Sequence, residues 1–229
     1  NQFVIEGETE GGAAMFQAPH VTRWGDGSGA DLNKEFAPNI PDKLTDAQKK
    51  AFDDFVNMVY TGDLTIFKNS LTPEALHSAI DYIIFYNLFG NVDSCGRNLE
   101  WATWDGGQHF MVIPYDFDQT MFNAWDGLSV GDATADGFPV KQMRFGTTTN
   151  KYFDLIAQAY PDEIKARYAE LRSDLLREDN VLSRYTKFMK QIDVENYAKE
   201  MELWPRETVI DYPYISNFIN TRPRAWAFT

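Results

Sequence analysis

Cysteine and histidine are scarce in this chain, and their scarcity argues against several kinds of site. The single cysteine, Cys95, cannot form an internal disulfide, so cysteine usage leaves the redox compartment open. The three histidines, His20, His77 and His109, show no metal-binding spacing, and none forms a recognisable motif with Cys95. Structural zinc sites need several cysteine or histidine ligands. We therefore interpret Cys95 as a loop thiol and expect no zinc site.

Long hydrophobic runs are also missing. A helix that spans a bilayer needs about 18 or more consecutive apolar residues. The longest apolar run, residues 80–88, is interrupted by Asp81 and Asn87. The sequence therefore predicts no membrane span.

Basic residues are outnumbered by acidic ones. The chain has 21 Lys and Arg against 34 Asp and Glu, which gives a formal net charge of −13. Proteins that bind nucleic acid use Lys and Arg to neutralise phosphates, so this balance argues against DNA or RNA as a partner. A site for a metal ion and a nucleotide tolerates such acidity because the cation offsets it. An acidic, solubilising surface is an equally consistent interpretation.

Apolar and aromatic residues are plentiful. Of the 229 residues, 44% are hydrophobic and 15% are aromatic. This is enough for a sizeable core in one large domain or two small ones.

Two stretches in the middle of the chain predict a β-hairpin. Residues 99–104 and 109–115 are rich in aromatic and β-branched residues, and they flank Asp105, Gly106 and Gly107. Glycine adopts positive φ at little steric cost, so these residues can form a tight turn. The two ends of the hairpin away from this turn are then expected to lie side by side.

Four oxygen-bearing side chains flank the predicted hairpin. Asp93 and Asn98 lie on the loop that enters the first strand, and Asp116 and Asp118 follow the second strand. An Asp followed five positions later by an Asn, and then by Asp-Phe-Asp, has the layout of a kinase catalytic Asp and its two metal-binding residues. In that layout one carboxylate takes the proton of the substrate hydroxyl, and hard oxygen ligands hold a divalent ion on the nucleotide phosphates. We expect Asp93, Asn98 and Asp116 to fill those roles in that order.

This region resembles the CotH (spore coat protein H) kinases, atypical protein kinases found on spores, on secreted proteins and in some phage structural proteins. The resemblance begins in an aromatic helix, residues 81–89, and continues through Asp93 and Asn98 into a tryptophan-bearing strand. It ends in residues 113–118, Ile-Pro-Tyr-Asp-Phe-Asp, where the family usually has Trp in place of Tyr115. It is specific over about residues 74–120 and diffuse elsewhere.

The resemblance implies phosphoryl transfer from ATP to a protein hydroxyl, with Mg²⁺ or Mn²⁺ as the metal. It implies that Asp93 is the catalytic acid/base, that Asn98 and Asp116 bind the metal and the nucleotide, and that Asp118 adds a metal ligand. It also implies a protein substrate or a structural protein partner, on a spore or cell surface, among secreted proteins or in a virion. The first residues correspond to the region after the family's small lobe, so we expect residues 1–229 to form one kinase-like domain without that lobe.

Other interpretations of the same residues stay open. Taken singly, Asp93 can cap backbone amides, Asn98 can form a turn, and Asp116 and Asp118 can be solvated acids at a strand end. The whole chain can be a non-catalytic, kinase-like structural module of a phage virion, in its tail or baseplate, or of a cell or spore surface. A metal-dependent Asp-x-Asp glycosyltransferase would need an upstream nucleotide-binding βαβ unit, and the sequence shows none.

Helical periodicity dominates the rest of the chain. Capping and stop signals predict helices from Thr45 to Thr61 and from Thr72 to Phe89. The second half predicts further helices over residues 151–160, 162–176, 181–192 and 194–203. Among the apolar side chains assigned to the core are Leu175 and Phe188.

The remaining segments complete the prediction. Pro205 is expected to open a last helix that is interrupted at Pro213 and ends near Pro223. Residues 3–5 predict a short strand, and residues 22–41 predict a loop. The expected fold is α+β and mainly α-helical, like the large lobe of a protein kinase, with a small β-hairpin that carries the site.

Overall fold

The computed structural model describes residues 14–17, 37–40, 44–91, 99–124, 151–205 and 211–225. These residues form an α+β fold that is mainly helical, as predicted. The elements in chain order are β1 (Ala14–Gln17), β2 (Ala37–Ile40), α1 (Asp46–Thr61), α2 (Leu64–Asn69), α3 (Pro73–Leu88), β3 (Leu99–Thr103), β4 (Met111–Pro114), α4 (Lys151–Ala159), α5 (Pro161–Ser173), α6 (Glu178–Met189), α7 (Val194–Leu203) and α8 (Tyr212–Ala225). None of the helices in these ranges is long and apolar enough to cross a membrane.

The predicted hairpin is confirmed. Strands β3 and β4 are antiparallel, and Ala102 pairs with Met111 next to the turn. The turn glycines, Gly106 and Gly107, have φ angles of 75° and 88°, which only glycine adopts readily. The hairpin belongs to a sheet with the strand order β2-β1-β3-β4.

The sheet is larger than the sequence indicated. Strand β1 was not predicted, and the interpretation of residues 22–41 as a loop was wrong for Ala37–Ile40. The sequence of β2, Ala-Pro-Asn-Ile, contains no strand-favouring pattern. Strand β2 lies at the edge of the sheet, so its outer side pairs with no other strand. Pro38, which has no backbone N–H to donate, can therefore be accommodated there. Pairing with β1, rather than local propensity, therefore determines this strand.

The predicted ends of α1 and α3 are confirmed. The Thr45 hydroxyl accepts the N–H of Gln48, and the Gln48 side chain accepts the N–H of Thr45, which forms a capping box. Gly62 ends α1 with a φ of 72°. Thr72 caps α3, with Pro73 at the first helical position.

The short helix α2 was not predicted. The Asp63 carboxylate, next to the helix-ending Gly62, caps α2 by accepting the N–H groups of Thr65 and Ile66. An Asp that follows a helix-ending glycine can thus begin the next helix, and only the structure distinguishes this from a plain turn.

The helices of the second half lie where the sequence predicted them, with ends that differ by up to three residues. The break expected at Pro213 agrees with the start of α8 at Tyr212. Pro213 lies in the first turn of this helix, where its missing N–H is not needed. Asp211 caps this turn by accepting the N–H of Tyr214, and α8 continues past Pro223. The predicted strand at residues 3–5 and the part of the predicted last helix at residues 206–210 lie outside the described residues.

Helix α3 lies at the centre of the core. Its Ile83, Ile84 and Tyr86 are fully buried, and it packs against β4, α4 and α5. The Ser78 hydroxyl of α3 donates to the carbonyl of Val112 in β4 at 2.8 Å. This contact fixes the hairpin on the helix that leads to the predicted site.

Two apolar residues predicted to be in the core are exposed. Leu175 is 48% exposed and Phe188 is 61% exposed. Helix α6 buries only Val181 fully, so its apolar stripe is wider than the face that packs on the core. Periodicity gives the direction of an apolar face but not how much of it is covered.

Asp105 organises the turn of the hairpin. Its Oδ1 accepts the N–H groups of Gln108 and His109 and the hydroxyl of Thr103, and its Oδ2 lies 2.5 Å from His109 Nδ1. Burial raises the pKa of Asp105, but the hydrogen bonds from His109 and Thr103 outweigh it, so the pKa lies below its ordinary value.

We expect Asp105 to make the stability of the fold sensitive to acid. A carboxyl whose pKa is lower in the folded state than in the unfolded state stabilises the fold above about pH 4, and this contribution is lost as the pH falls through the folded-state pKa. Asp105→Asn should lower the free energy of unfolding by about 1 to 2 kcal/mol at pH 7. The difference from wild type should shrink below about pH 4.

Urea denaturation of both proteins from pH 7 to pH 3 measures this difference. A difference that stays constant over that range would contradict the role assigned to the Asp105 carboxylate.

Candidate functional site

Two of the predicted site residues, Asp116 and Asp118, follow β4 with their side chains exposed to solvent. Asp116 has a φ of 50°, in the left-handed region that side-chain-bearing residues adopt at a cost of about 1 to 2 kcal/mol. Backbone strain of this kind is found most often at functional sites, where surrounding structure holds it in place. The strained position of Asp116 is therefore consistent with a functional role.

Phe117 anchors this segment between the two acids. Its ring packs against Tyr82, with centroids 5.7 Å apart, and against Phe85, with centroids 4.9 Å apart. Both partners belong to α3. The aromatic ring is thus held on the core while the neighbouring carboxylates of Asp116 and Asp118 face water.

The chain after Asp118 is tied to the end of α3 by backbone hydrogen bonds. The N–H of Met121 donates to the carbonyl of Phe89 at 2.6 Å, and the N–H of Phe122 donates to the carbonyl of Gly90 at 2.9 Å. Met121 and Phe122 are buried and have φ angles of 57° and 60°. We call these four residues, Phe89, Gly90, Met121 and Phe122, the junction.

Gly90 is required at the junction for two reasons. Its φ is 55°, and a Cβ built on it would lie 2.9 Å from Cε2 of the Phe122 ring. Real Cβ atoms essentially never approach another heavy atom so closely. A larger residue would therefore both strain the backbone and displace the Phe122 ring.

Helix α8 holds both sides of the junction. The buried Arg222 donates from Nε and Nη2 to the carbonyl of Asn87, at 3.1 and 3.0 Å, and its guanidinium lies 5.2 Å from the centroid of the Phe122 ring. The Tyr214 hydroxyl donates to the carbonyl of Met121 at 2.8 Å. The end of α3 and the segment after Asp118 are thus fixed by one helix.

The sequence analysis did not single out Tyr214 or Arg222. A signal existed for Arg222, because it follows Ile219 by three residues and Ile215 by seven, which places a charged residue on the apolar face of a helix. Such a residue is rarely buried without a specific partner. Nothing in the local sequence identified that partner as the carbonyl of Asn87.

The register of the hairpin brings two other segments together. Leu99, the first residue of β3, pairs with Pro114, the last residue of β4. Next to Leu99, the carboxyl-bearing Glu100 is 4% exposed. The sequence analysis overlooked Glu100, although a charged residue inside an otherwise apolar strand was a usable signal.

Asp93 and Asn98 lie outside the described residues, as does Cys95. Their neighbours are described on both sides. Asn91, three residues after α3, is buried, and its N–H donates to the carbonyl of Tyr86 at 2.9 Å. The roles of Asp93 and Asn98 therefore stay predictions.

The ligands for a metal ion are present only in part among the residues that the structure describes. Asp116 and Asp118 offer carboxylates, the hard oxygen donors that Mg²⁺ and Mn²⁺ prefer. No group of three His, Cys, Asp or Glu side chains in the described ranges is arranged to hold a metal. Asp116 and Asp118 would therefore need at least one further donor to complete a metal site, and the predicted ligand Asn98 lies outside the described residues.

The strand pairing bears on the glycosyltransferase alternative. Every strand pair in the described part of the sheet is antiparallel. A nucleotide-binding βαβ unit needs two parallel strands joined by a helix. The described sheet therefore contains no such unit.

Comparison with protein families extends the resemblance seen in the sequence. The family described as CotH kinase protein matches residues 12–226. The match goes well beyond residues 74–120, where the sequence resemblance was specific, and covers nearly the whole chain. A search among curated proteins found no match.

The junction generates a prediction about stability. Gly90→Ala places a methyl group against the Phe122 ring as well as in a left-handed conformation. Gly106→Ala is a matched control, because Gly106 also has positive φ but has nothing within 4 Å of the added Cβ. We expect Gly106→Ala to lower the free energy of unfolding by about 1 to 2 kcal/mol, and Gly90→Ala by a further 1 to 3 kcal/mol, roughly, from overpacking.

Urea denaturation of the two variants beside wild type tests this expectation. Equal losses in the two variants would show that the Phe122 contact contributes nothing at Gly90.

Proposed function

Because the chain belongs to the CotH kinase family, we propose that it is an atypical protein kinase that transfers a phosphoryl group from ATP to a protein hydroxyl. The proposal gives residues 1–229 the architecture of one kinase-like large lobe. It assigns Mg²⁺ or Mn²⁺ as the metal and locates the site at the end of the hairpin where β3 begins and β4 ends.

One observation carries this location: the segments that hold the predicted site residues begin or end close together. The junction ties the end of α3 to the chain that follows Asp118. Asp93 follows the buried Asn91 by two residues, and two residues reach at most about 7 Å. Asn98 directly precedes Leu99, whose partner Pro114 lies two residues before Asp116. These short connections support a shared site for Asp93, Asn98 and Asp116.

The proposed roles follow from the chemistry of the side chains. The Asp93 carboxylate orients the acceptor hydroxyl and takes its proton, a contribution typically worth about 10² to 10⁴ in rate. Asn98 and Asp116 supply oxygen ligands for the metal and thereby position the nucleotide, and Asp118 adds a carboxylate. When bound, the divalent ion neutralises negative charge on the transferred phosphoryl group. Catalysis then comes mainly from positioning and electrostatics.

The surroundings of Asp116 suit such positioning. The Phe117 ring packs against Tyr82 and Phe85 of α3, and Tyr214 of α8 is hydrogen-bonded to Met121 in the junction. Side chains carried on a braced segment keep their geometry better than those on an unsupported loop. The net charge of −13 would repel ATP in the absence of a cation, so we expect nucleotide binding to depend strictly on the metal.

Calorimetric titration tests the proposal. ATP should bind the wild-type chain with Mg²⁺ or Mn²⁺ and not with EDTA. Asp116→Asn should weaken binding about tenfold or more, since metal sites lose at least this much when their ligand environment is damaged. Asp162→Asn, an exposed Asp in the first turn of α5, removes one charge away from the hairpin and should bind as wild type does. Equal binding by wild type and Asp116→Asn would remove Asp116 from the site.

Transfer of labelled phosphate to a protein acceptor tests the role of Asp93. Asp93→Asn should lose about 10² to 10⁴ in rate, with metal-dependent ATP binding retained and the free energy of unfolding little changed. Full activity in this variant would contradict the assignment of the base. A wild-type chain that neither binds nucleotide nor transfers phosphate would fit either the non-catalytic structural module or a large lobe that cannot bind ATP alone. The same two assays on a protein that includes a small lobe would decide between them.

A further inference from the structure

A cavity of about 310 Å³ opens to solvent between helices α3 and α5. Its lining combines charged and apolar side chains, two from α3 and four from α5: His77, Ile80, Glu163, Ala166, Arg167 and Glu170. Small-molecule sites in proteins commonly have volumes of about 300 to 1,000 Å³. This space, which we call the α3–α5 cavity, is therefore large enough for a small ligand.

A small residue on α5 leaves this space open. The α5 residues that line the cavity are three or four positions apart, so they lie on one face of the helix. In the middle of that face, Ala166 presents only a methyl group, where a longer side chain would occupy part of the cavity. The buried Ile80 lines the cavity on the side of α3. These two residues make the apolar part of the lining.

Carboxylates outnumber cations around the cavity. Arg167 donates from Nε and Nη2 to the two carboxylate oxygens of Asp81, at 2.7 and 2.9 Å, and its Nη1 lies 2.9 Å from Oε2 of Glu170. In the part of the chain that the structure describes, no Lys or Arg forms an ion pair with Glu163. Three carboxylates against one guanidinium leave two negative charges in excess while His77 is neutral.

These charges disfavour two kinds of ligand. An anion would meet exposed carboxylates, and each nitrogen of the Arg167 guanidinium already has a carboxylate partner. A metal ion needs several ligands around one point, and no three His, Cys, Asp or Glu side chains in the described ranges are arranged in this way. An organic cation with an apolar stem matches both the excess carboxylates and the apolar lining.

We propose that the α3–α5 cavity binds a linear organic diamine, in which an alkyl chain joins two ammonium groups. Glu163 and Glu170 are seven residues apart, about 10.5 Å along α5. Each carboxylate can accept hydrogen bonds from the ammonium group at one end of such a ligand. The alkyl chain lies over Ala166 and Ile80 between them. The proposal does not depend on phosphoryl transfer.

Titrations of the full chain, followed by its amide NMR signals, compare three probes that share a four-carbon chain. Putrescine has an ammonium group at each end, butylamine has a single one, as a lysine side chain does, and succinate has a carboxylate at each end. We expect putrescine to shift the signals of Ile80 and Ala166 and to bind about tenfold or more tightly than butylamine, because its second ammonium group binds as part of the same molecule. Succinate should not bind, and added salt should weaken putrescine binding.

A matched pair of variants locates the binding in the cavity. Ala166→Leu keeps every charge but fills the cavity, and it should weaken putrescine binding about tenfold or more. Ala169→Leu makes the same change at an exposed position of α5 outside the lining, and it should bind as wild type does. Both alanines are exposed and Leu favours the helix, so the fold should be retained.

A second pair of variants tests the charges. Glu163→Gln with Glu170→Gln should weaken putrescine binding several-fold more than Asp162→Asn with Glu195→Gln. The second pair removes the same charge from exposed positions outside the lining. Equal weakening in the two pairs would reduce the effect to net charge and overturn the proposal.

Three further results would overturn it. Butylamine that binds as tightly as putrescine would assign the cavity to a single ammonium group, such as that of a lysine side chain. Putrescine binding that Ala166→Leu leaves unchanged would place the ligand elsewhere. A wild-type chain without saturable putrescine binding would show that the cavity is not a diamine site.

Discussion

The guanidinium of Arg222 joins the parts of the structure on which the proposed site depends. A buried charge is costly unless its N–H groups have partners, and Arg222 meets this need in part through the carbonyl of Asn87 and the face of Phe122. The end of α3, the segment that contains Phe122, and α8 must therefore be in place together. Removal of any one of them would leave Arg222 without a contact that offsets its burial.

This constraint explains how strained residues persist near the hairpin. Asp116, Met121 and Phe122 all have left-handed backbones, and such residues persist only where their surroundings hold them in place. Backbone bonds to Phe89 and Gly90, and the Tyr214 hydroxyl on the carbonyl of Met121, support Met121 and Phe122. Next to Asp116, the Phe117 ring packs on Tyr82 and Phe85 of α3. The exposed carboxylates of Asp116 and Asp118 are thus carried by a well-braced segment. That arrangement suits a site in which the protein's main contribution is to hold oxygen ligands and a nucleotide in position.

Features of the fold that depend on residues close together in the sequence could be predicted, and features that depend on residues far apart could not. The hairpin and the caps at Thr45 and Thr72 were predictable because turn glycines and capping side chains act within a few residues. Strand β2 was not, because pairing with β1 overrides its poor propensity. The exposure of Phe188 depends on what packs against α6, and the partner of Arg222 lies 135 residues away. For the site, the order and the types of the residues could be predicted from the sequence, and the structure adds the surroundings of Asp116 and Asp118. The roles of Asp93 and Asn98 are still predictions.

The most direct test of the central claim is paramagnetic broadening of backbone amide signals by Mn²⁺ in the presence of ATP. The account predicts that signals near the end of the hairpin broaden first, at Leu99, Asp116, Asp118 and Asn91. Signals from the turn at Asp105 to Gln108, at the other end of the hairpin, should broaden much less. Broadening that is strongest elsewhere, or that is unchanged in Asp116→Asn, would contradict a metal-nucleotide site at this end of the hairpin.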